Sequence, residues 1–225
     1  MQQRKKIAII VAGGSGVRMG SSIPKQFLEL EGRPVLYHTI HAFLQAYPDM
    51  EVILVVPAEH FSYVAGILQH FPGAPIQVIA GGETRFHSVK NGLAQVREPA
   101  VVFIQDGVRP LLSSALIHRC YEAALAYGNA IPVLEMKDSV RQVDTRGNRA
   151  VDRQQFRIIQ TPQTFLSELI LAAFALPYDP LFTDEATVIE RLGHQVHLVE
   201  GEEANIKITR PQDLLVAAAL LKGSR

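Results

Sequence analysis

Three of the four glycines in the stretch Val11 to Phe27 (VAGGSGVRMGSSIPKQF), Gly14, Gly16 and Gly20, surround Arg18, and Pro24-Lys25 comes after them. A glycine-rich turn lets backbone N–H groups approach phosphate oxygens closely. Arg18 and Lys25 would add fixed positive charge beside them, which suits the cradle of a nucleoside triphosphate. The same glycines would also serve a plain strand-to-helix turn. Two known phosphate motifs do not fit. Met19 stands where a dinucleotide fingerprint needs its third glycine, and no G-K-[ST] closes a P-loop.

Further segments carry chemistry in the same style. Gly81-Gly82-Glu83-Thr84-Arg85, with Ser88 one turn on, would let a flat ligand such as a base approach the backbone, with Ser88 able to donate and accept. It would equally be a capping loop with Thr84 as N-cap. In Gln105-Asp106-Gly107-Val108-Arg109-Pro110 an acid and a base lie three apart on a sharp turn. They would pair with each other or face a ligand, and Asp106 would orient a hydroxyl or help hold a hydrated Mg²⁺. Arg153, in Val151-Asp152-Arg153, and Lys207, which alternates with Ile206 and Ile208, complete the set of cations. For each of these, solvated surface charge is the plain alternative.

The eight histidines show no H-E-x-x-H pattern, and His38 and His41, three apart on one helix, have no third ligand in the pattern. No G-x-S-x-G elbow appears, so hydrolase chemistry has little support. The 22 basic and 22 acidic residues cancel, which argues against broad nucleic-acid or membrane-surface binding, so any cationic site must be local. Cys120 is the one cysteine; it excludes an intrachain disulfide and reads as a small buried hydrophobe. No apolar run reaches membrane-spanning length, and the basic start MQQRKK lacks the run of a signal peptide, so a cytoplasmic protein is expected.

These residues need a frame, and the hydrophobic pattern supplies one. Apolar runs at Lys6–Val11, Val52–Val56, Ile76–Ala80, Ala100–Ile104 and Ala130–Leu134 read as strands. Helical spacing falls between them at Pro34–Tyr47, Ala58–Phe71, Thr84–Val96 and Ser113–Tyr127. Strands apolar on both faces and alternating with helices imply a doubly wound α/β fold with a mostly parallel sheet, whose ligands lie at the carboxyl ends of the strands. All 225 residues read as a single domain. From Asp138 to Thr161 the pattern becomes polar, with two short alternating runs around Thr145-Arg146-Gly147-Asn148, and reads as a projecting β-arm. Such an arm would exchange contacts with a second copy of the chain or lie as a simple surface hairpin. Helices are expected at Leu166–Phe174, Asp184–Leu192 and Pro211–Leu221, and strands at Gln195–Val199 and Asn205–Ile208.

The ordered set A-G-G-S-G-V-R-M-G…P-K-Q-F, G-G-E-T-R…S-V…G-L, D-G-V-R-P, V-D-R, Q-T-P-Q-T-F, T-D-E-A and N-I-K-I-T-R-P-Q-D-L resembles the 2-C-methyl-D-erythritol 4-phosphate cytidylyltransferases of nonmevalonate isoprenoid synthesis. The match runs from Ile7 to Leu221. The resemblance implies a GT-A-like nucleotidyltransferase fold and a reaction in which CTP and methylerythritol phosphate give the diphosphocytidyl product and pyrophosphate, with Mg²⁺ as cofactor. It implies that Arg18 and Lys25 hold the triphosphate against Ala12, Gly13, Gly14 and Gly16, and that Lys207 approaches the α-phosphate. Gly82, Glu83 and Ser88 would read the cytosine, with Asp106 also at the nucleotide. Asp106, Arg109, Ser139 and Arg153 would bind the methylerythritol phosphate. The arm would mediate a homodimer and deliver Arg153 into the neighbouring site. Gly107-Val108 departs from the family's frequent Ala-Ala and is similar to a bulkier pair in the ribitol-5-phosphate branch. Glu83 and Ser139 stand for what are commonly Asp and Thr, while Val151-Asp152-Arg153 favours the methylerythritol branch.

Overall fold

The structure, a computed structural model, describes residues 4–14 and 23–223. Its strands are β1 (Lys5–Val11), β2 (Glu29–Leu30), β3 (Arg33–Pro34), β4 (Met50–Val56), β5 (Ile76–Ala80), β6 (Ala100–Asp106) and β7 (Asn129–Glu135). They continue as β8 (Val140–Asp144), β9 (Gly147–Val151), β10 (Arg157–Ile159), β11 (Gln163–Leu166) and β12 (Leu198–Glu200). The helices are α1 (Val35–Ala46), α2 (Phe61–Leu68), α3 (Arg85–Leu93), α4 (Ser114–Tyr127), α5 (Ser167–Ala173), α6 (Glu185–Arg191) and α7 (Pro211–Gly223).

The central sheet runs β5-β4-β1-β6 in parallel, and then β11 enters antiparallel to both β6 and β7. β10 pairs with β7 antiparallel and β12 pairs with it in parallel. The strands carry apolar side chains on both faces because both faces are covered. Ala8 and Ile10 of β1 look toward α1, α2 and α4, whose Phe43, Val64 and Leu116 are buried there. Ile7 and Ile9 point the other way, toward Val89 of α3, Ile170 of α5 and Ile189 of α6. Cys120 is buried in the first of these layers, as expected, and burial pushes its thiol up to about 12.

Local chemistry sets the boundaries. The Thr84 hydroxyl accepts from the His87 N–H, and the Ser113 hydroxyl from the Leu116 N–H, so each caps the helix that follows it. Asp184 and Thr187 form a reciprocal capping box on α6. Gly128 ends α4 at φ 87°, a left-handed position that suits glycine.

Several expectations change in detail. The helix read at Ala58–Phe71 is a 3₁₀ turn (Ala58–His60) followed by α2. Gln163–Leu166 is a strand, and the strand read at Gln195–Val199 begins at Leu198. Asn205–Ile208 is not a strand. It is an extended segment in which Ile208 N–H donates to Val108 O at 2.9 Å, and Ile208 packs with Leu30, Val35, Val108 and Ala217. The alternation that suggested a strand is still present, with Lys207 exposed between half-buried Ile206 and buried Ile208. In the arm, β8 and β9 form a hairpin closed by Thr145-Arg146, and β10 then returns to the main sheet beside β7.

Candidate active site

Four strand ends converge on one cavity of about 620 Å³. It lies where parallel strands open at their carboxyl ends, the ordinary ligand position of such sheets. Ala12, Gly13, Gly14, Lys25, Gly82, Glu83, Ser88, Asp106 and Lys207 all line it. The sequence placed these residues on separate loops, and the structure brings them together. Gly16 and Arg18 lie outside the described residues.

The first wall follows β1. Ala12 N–H donates to Val55 O at 2.9 Å as the chain leaves the sheet. The Gln26 Nε2 donates to Ala12 O at 2.8 Å, so the Pro24-Lys25-Gln26-Phe27 turn is tied to the cradle. Phe27 stacks on Tyr63 with centroids 4.9 Å apart, fixing the turn from its other side. Lys25 is thereby held beside Gly14, where an added Cβ would stand 3.7 Å from the Lys25 Cε.

The second wall is the loop after β5. Gly82 N–H donates to Ser88 Oγ at 3.1 Å, and Ser88 Oγ donates to Thr84 O at 3.0 Å. Ser88 therefore shapes the loop as well as facing the cavity, and the capping function of Thr84 is present too. A Cβ on Gly82 would lie 2.5 Å from the His87 Cβ, so the tight approach requires glycine.

The third wall begins at the end of β6. Gly107 N–H donates to Val11 O at 2.9 Å, and Arg109 N–H to Asp106 O at 3.1 Å. Thr39 Oγ1 donates to both Gly107 O and Arg109 O at 3.3 Å, locking the turn. A Cβ on Gly107 would meet the Ala12 Cβ at 2.9 Å and Val11 O at 3.2 Å. The small residue at 107 thus has a packing cause, and Val108 is 7% exposed in the cluster with Leu30 and Ile208.

Asp106 is the electrostatic centre. Its Oδ2 lies 2.8 Å from Lys207 Nζ and 3.8 Å from Arg109 Nε, and its Oδ1 lies 3.3 Å from Arg85 Nε. Burial alone would raise its pKa, but Arg85, Lys207 and Arg109 outweigh that and hold it at about 2. Burial lowers the pKa of Arg109, whose Nη1 donates to Asn205 O at 2.6 Å. Arg85 goes the other way. Burial would lower its pKa, but Glu185 and Asp106 together raise it. Burial raises Glu185 above the usual carboxylate range.

Three expected residues do not line this cavity: Arg109 is buried behind it against Asp106 and Asn205, and two others lie elsewhere on the chain. Arg153 is exposed near the base of the arm, with Nη1 donating to Lys137 O. It lines a separate cavity of about 500 Å³ with Lys137 and Arg157. Ser139 is exposed and lines neither cavity.

The residue-by-residue reading assigned no position to a buried amide scaffold. Asn205 Nδ2 donates to Thr161 O at 2.8 Å, and Thr161 Oγ1 accepts from Asp106 N–H at 3.2 Å. Gln160 Nε2 donates to Glu202 O at 2.8 Å, and its Oε1 accepts from Glu202 N–H at 3.1 Å. This scaffold fixes the Lys207 segment against the end of β6. The signal for it lay in Q-T-P-Q and N-I-K, polar residues amid apolar neighbours. Arg85 and Glu185, one hundred residues apart, had no local signal.

Among the described residues, no group of three His, Cys, Asp or Glu comes together to hold a metal, and no helix is long and apolar enough to cross a membrane.

Residues 6–223 match the family model described as IspD, 2-C-methyl-D-erythritol 4-phosphate cytidylyltransferase. The curated cytidylyltransferase of that name from Bacteroides thetaiotaomicron is 45% identical over 218 residues, covering 96% of this chain and 100% of its own. The one from Bacteroides fragilis is 46% identical over 217 residues, covering 96% and 99%. A crystal structure of 4-diphosphocytidyl-2C-methyl-D-erythritol synthase from Anaerococcus prevotii superposes with a TM-score of 0.83 at 30% identity, covering 97% and 99%. An ionised aspartate ringed by cations beside a glycine cradle, carried on a full-length match of this kind, places the chain in the 2-C-methyl-D-erythritol 4-phosphate cytidylyltransferase family.

Proposed function

We propose that this cavity binds CTP and that the enzyme transfers its cytidylyl group to the phosphate of 2-C-methyl-D-erythritol 4-phosphate. A phosphate oxygen of the acceptor forms a bond to the CTP α-phosphorus, the bond to the β-phosphate oxygen breaks, and pyrophosphate leaves. The attacking phosphate is already an anion, so no general base is required. The work of the protein is positioning and charge stabilisation. The observation that carries this reading is the cluster of Lys207, Arg109 and Arg85 around Asp106, opposite Lys25 and the glycine turn. In a chain of zero net charge, such a local concentration of cations suits two anions that must meet.

In this reading Ala12, Gly13, Gly14 and Lys25 hold the triphosphate, with Gly16 and Arg18 completing the cradle, and Lys207 reaches the α-phosphate. Gly82, Glu83 and Ser88 face the cytosine, and Asp106 and Arg109 face the acceptor. A Mg²⁺ ion would be held mainly by the CTP phosphates and would supply neutralisation of their charge. Asp106, ionised and lining the cavity, is the carboxylate suited to take a share of it.

Arg153 and Ser139 act from a second copy of the chain, so the enzyme is a homodimer joined through the 138–161 arm. Support comes from Arg153 lining a separate cavity in its own chain and from apolar surface on the arm and its return. Val143 is 74% exposed and Ile158 43% exposed, more than an isolated surface hairpin needs. The acceptor chemistry fits a cytoplasmic, single-domain enzyme. Gly107 has a packing cause in its close approach to Ala12, and Val108, which lines the cavity, is the residue of this pair placed to bear on the choice between methylerythritol and ribitol phosphates. The test is pyrophosphate release with methylerythritol phosphate and each of the four ribonucleoside triphosphates in turn. Release with CTP well above the others supports the reading, and equal release with all four refutes the base assignment.

A further inference from the structure

We infer that Glu185 is a positioning residue of this site, acting through Arg85 to keep Lys207 on Asp106. Arg85 stands between two carboxylates. Its Nη1 and Nη2 both donate to Glu185, the second at 3.0 Å, which leaves Nε alone for Asp106 Oδ1 at 3.3 Å. The other oxygen of Asp106 is then free to hold Lys207 Nζ at 2.8 Å. A guanidinium fork prefers two parallel bonds to one carboxylate. If Glu185 did not occupy the fork, Arg85 would grip Asp106 with it and displace Lys207.

The placement of Glu185 is built for this. The residue is 1% exposed, does not line the cavity, and has no route to substrate. Gln163 clamps its surroundings: Nε2 donates to Asp184 Oδ2 at 2.9 Å, and Oε1 accepts from Ala186 N–H at 2.8 Å. The Q-T-P-Q and T-D-E-A motifs are thereby joined, and both serve the geometry of Asp106. The inference rests on the proposed contact of Lys207 with the α-phosphate.

The experiment compares wild type, Glu185→Gln and Arg85→Lys in steady-state turnover of CTP and methylerythritol phosphate, normalised to folded protein. Glu185→Gln keeps the shape and removes the charge. Arg85→Lys keeps the charge and removes the fork, and covers the case in which the first variant fails to fold. Glu185→Gln should lower kcat by about 10- to 100-fold, the cost of misplacing a reacting-site group by roughly 1 Å, whereas Arg85→Lys, with no fork to displace Lys207, should lower it less than Glu185→Gln does. For Glu185→Gln, KM for CTP should stay within about threefold, since Glu185 lies outside the cavity lining and the Gly82–Ser88 loop is unchanged. The double variant should recover toward the Arg85→Lys rate, because no fork remains to displace Lys207; a double variant as slow as Glu185→Gln would overturn the inference. A lowered melting temperature with kcat unchanged would make Glu185 merely structural and overturn the inference. An inactive wild type would instead overturn the proposed function on which it depends.

Discussion

Replacing Asp106 with Asn removes the carboxylate shared by Arg85, Arg109 and Lys207, and its cost follows from the site's electrostatics. The carboxyl titrates at about 2 against an ordinary 3.8. At about 1.4 kcal/mol per pKa unit, the folded state favours the charged form by about 2 kcal/mol. Leaving Lys207 and Arg109 without their counter-ion, while Arg85 keeps Glu185, adds repulsion, so the loss at pH 7 should be at least that large and lie toward about 3–5 kcal/mol, typical of a broken buried pair. The pH dependence has a definite sign. A depressed carboxyl pKa stabilises the fold above the unfolded value, near 4, and that stability is lost as pH falls toward about 2. Urea unfolding of wild type and Asp106→Asn, without nucleotide or metal, should therefore show a constant gap from pH 7 to 5 that narrows by about 2 kcal/mol as the pH drops below 4. A variant as stable as wild type at pH 7, or a gap that ignores pH, would refute the cation-ringed aspartate.

Lys25→Ala and Lys207→Ala should each lower kcat by about 10²–10³ while circular dichroism stays native, the usual cost of one lost transition-state charge contact. An unchanged kcat would remove that lysine from the chemistry. Arg153→Ala and Lys207→Ala chains, each impaired alone, should regain activity when mixed and refolded together, because one mixed site would hold both residues intact. No recovery would place Arg153 in its own chain's site. Thr84→Ala should cost about 1 kcal/mol by uncapping α3, read as a lower urea midpoint.

The strand ends that build the cavity were readable because β1, β4 and β6 are apolar on both faces and punctuated by Gly, Pro or Asp where they stop. Lys25, Gly82, Asp106 and Lys207 sit at or just past such stops, or in the segment that packs against one. The Gln163–Leu166 strand was hidden because its buried Gln163 and Thr164 look like loop residues, and become tolerable inside the sheet only once distant partners satisfy them. Asn205–Ile208 has the side-chain alternation of a strand, yet the Asn205 side chain and the Ile208 N–H bond to Thr161 and Val108 instead of to a ladder. The Arg85–Glu185 pair joins two elements far apart in sequence, and a tertiary ion pair leaves no periodicity behind. The place of Arg153 is legible only as a pattern that one chain leaves outside the cavity.

The most direct measurement is pyrophosphate release with CTP and Mg²⁺, with methylerythritol 4-phosphate and ribitol 5-phosphate as acceptors side by side. The account predicts release that depends on methylerythritol phosphate, with kcat/KM for ribitol phosphate lower by at least tenfold, the equivalent of about 1.4 kcal/mol. Equal or better turnover with ribitol phosphate would contradict it and return Gly107-Val108 to the centre of acceptor choice.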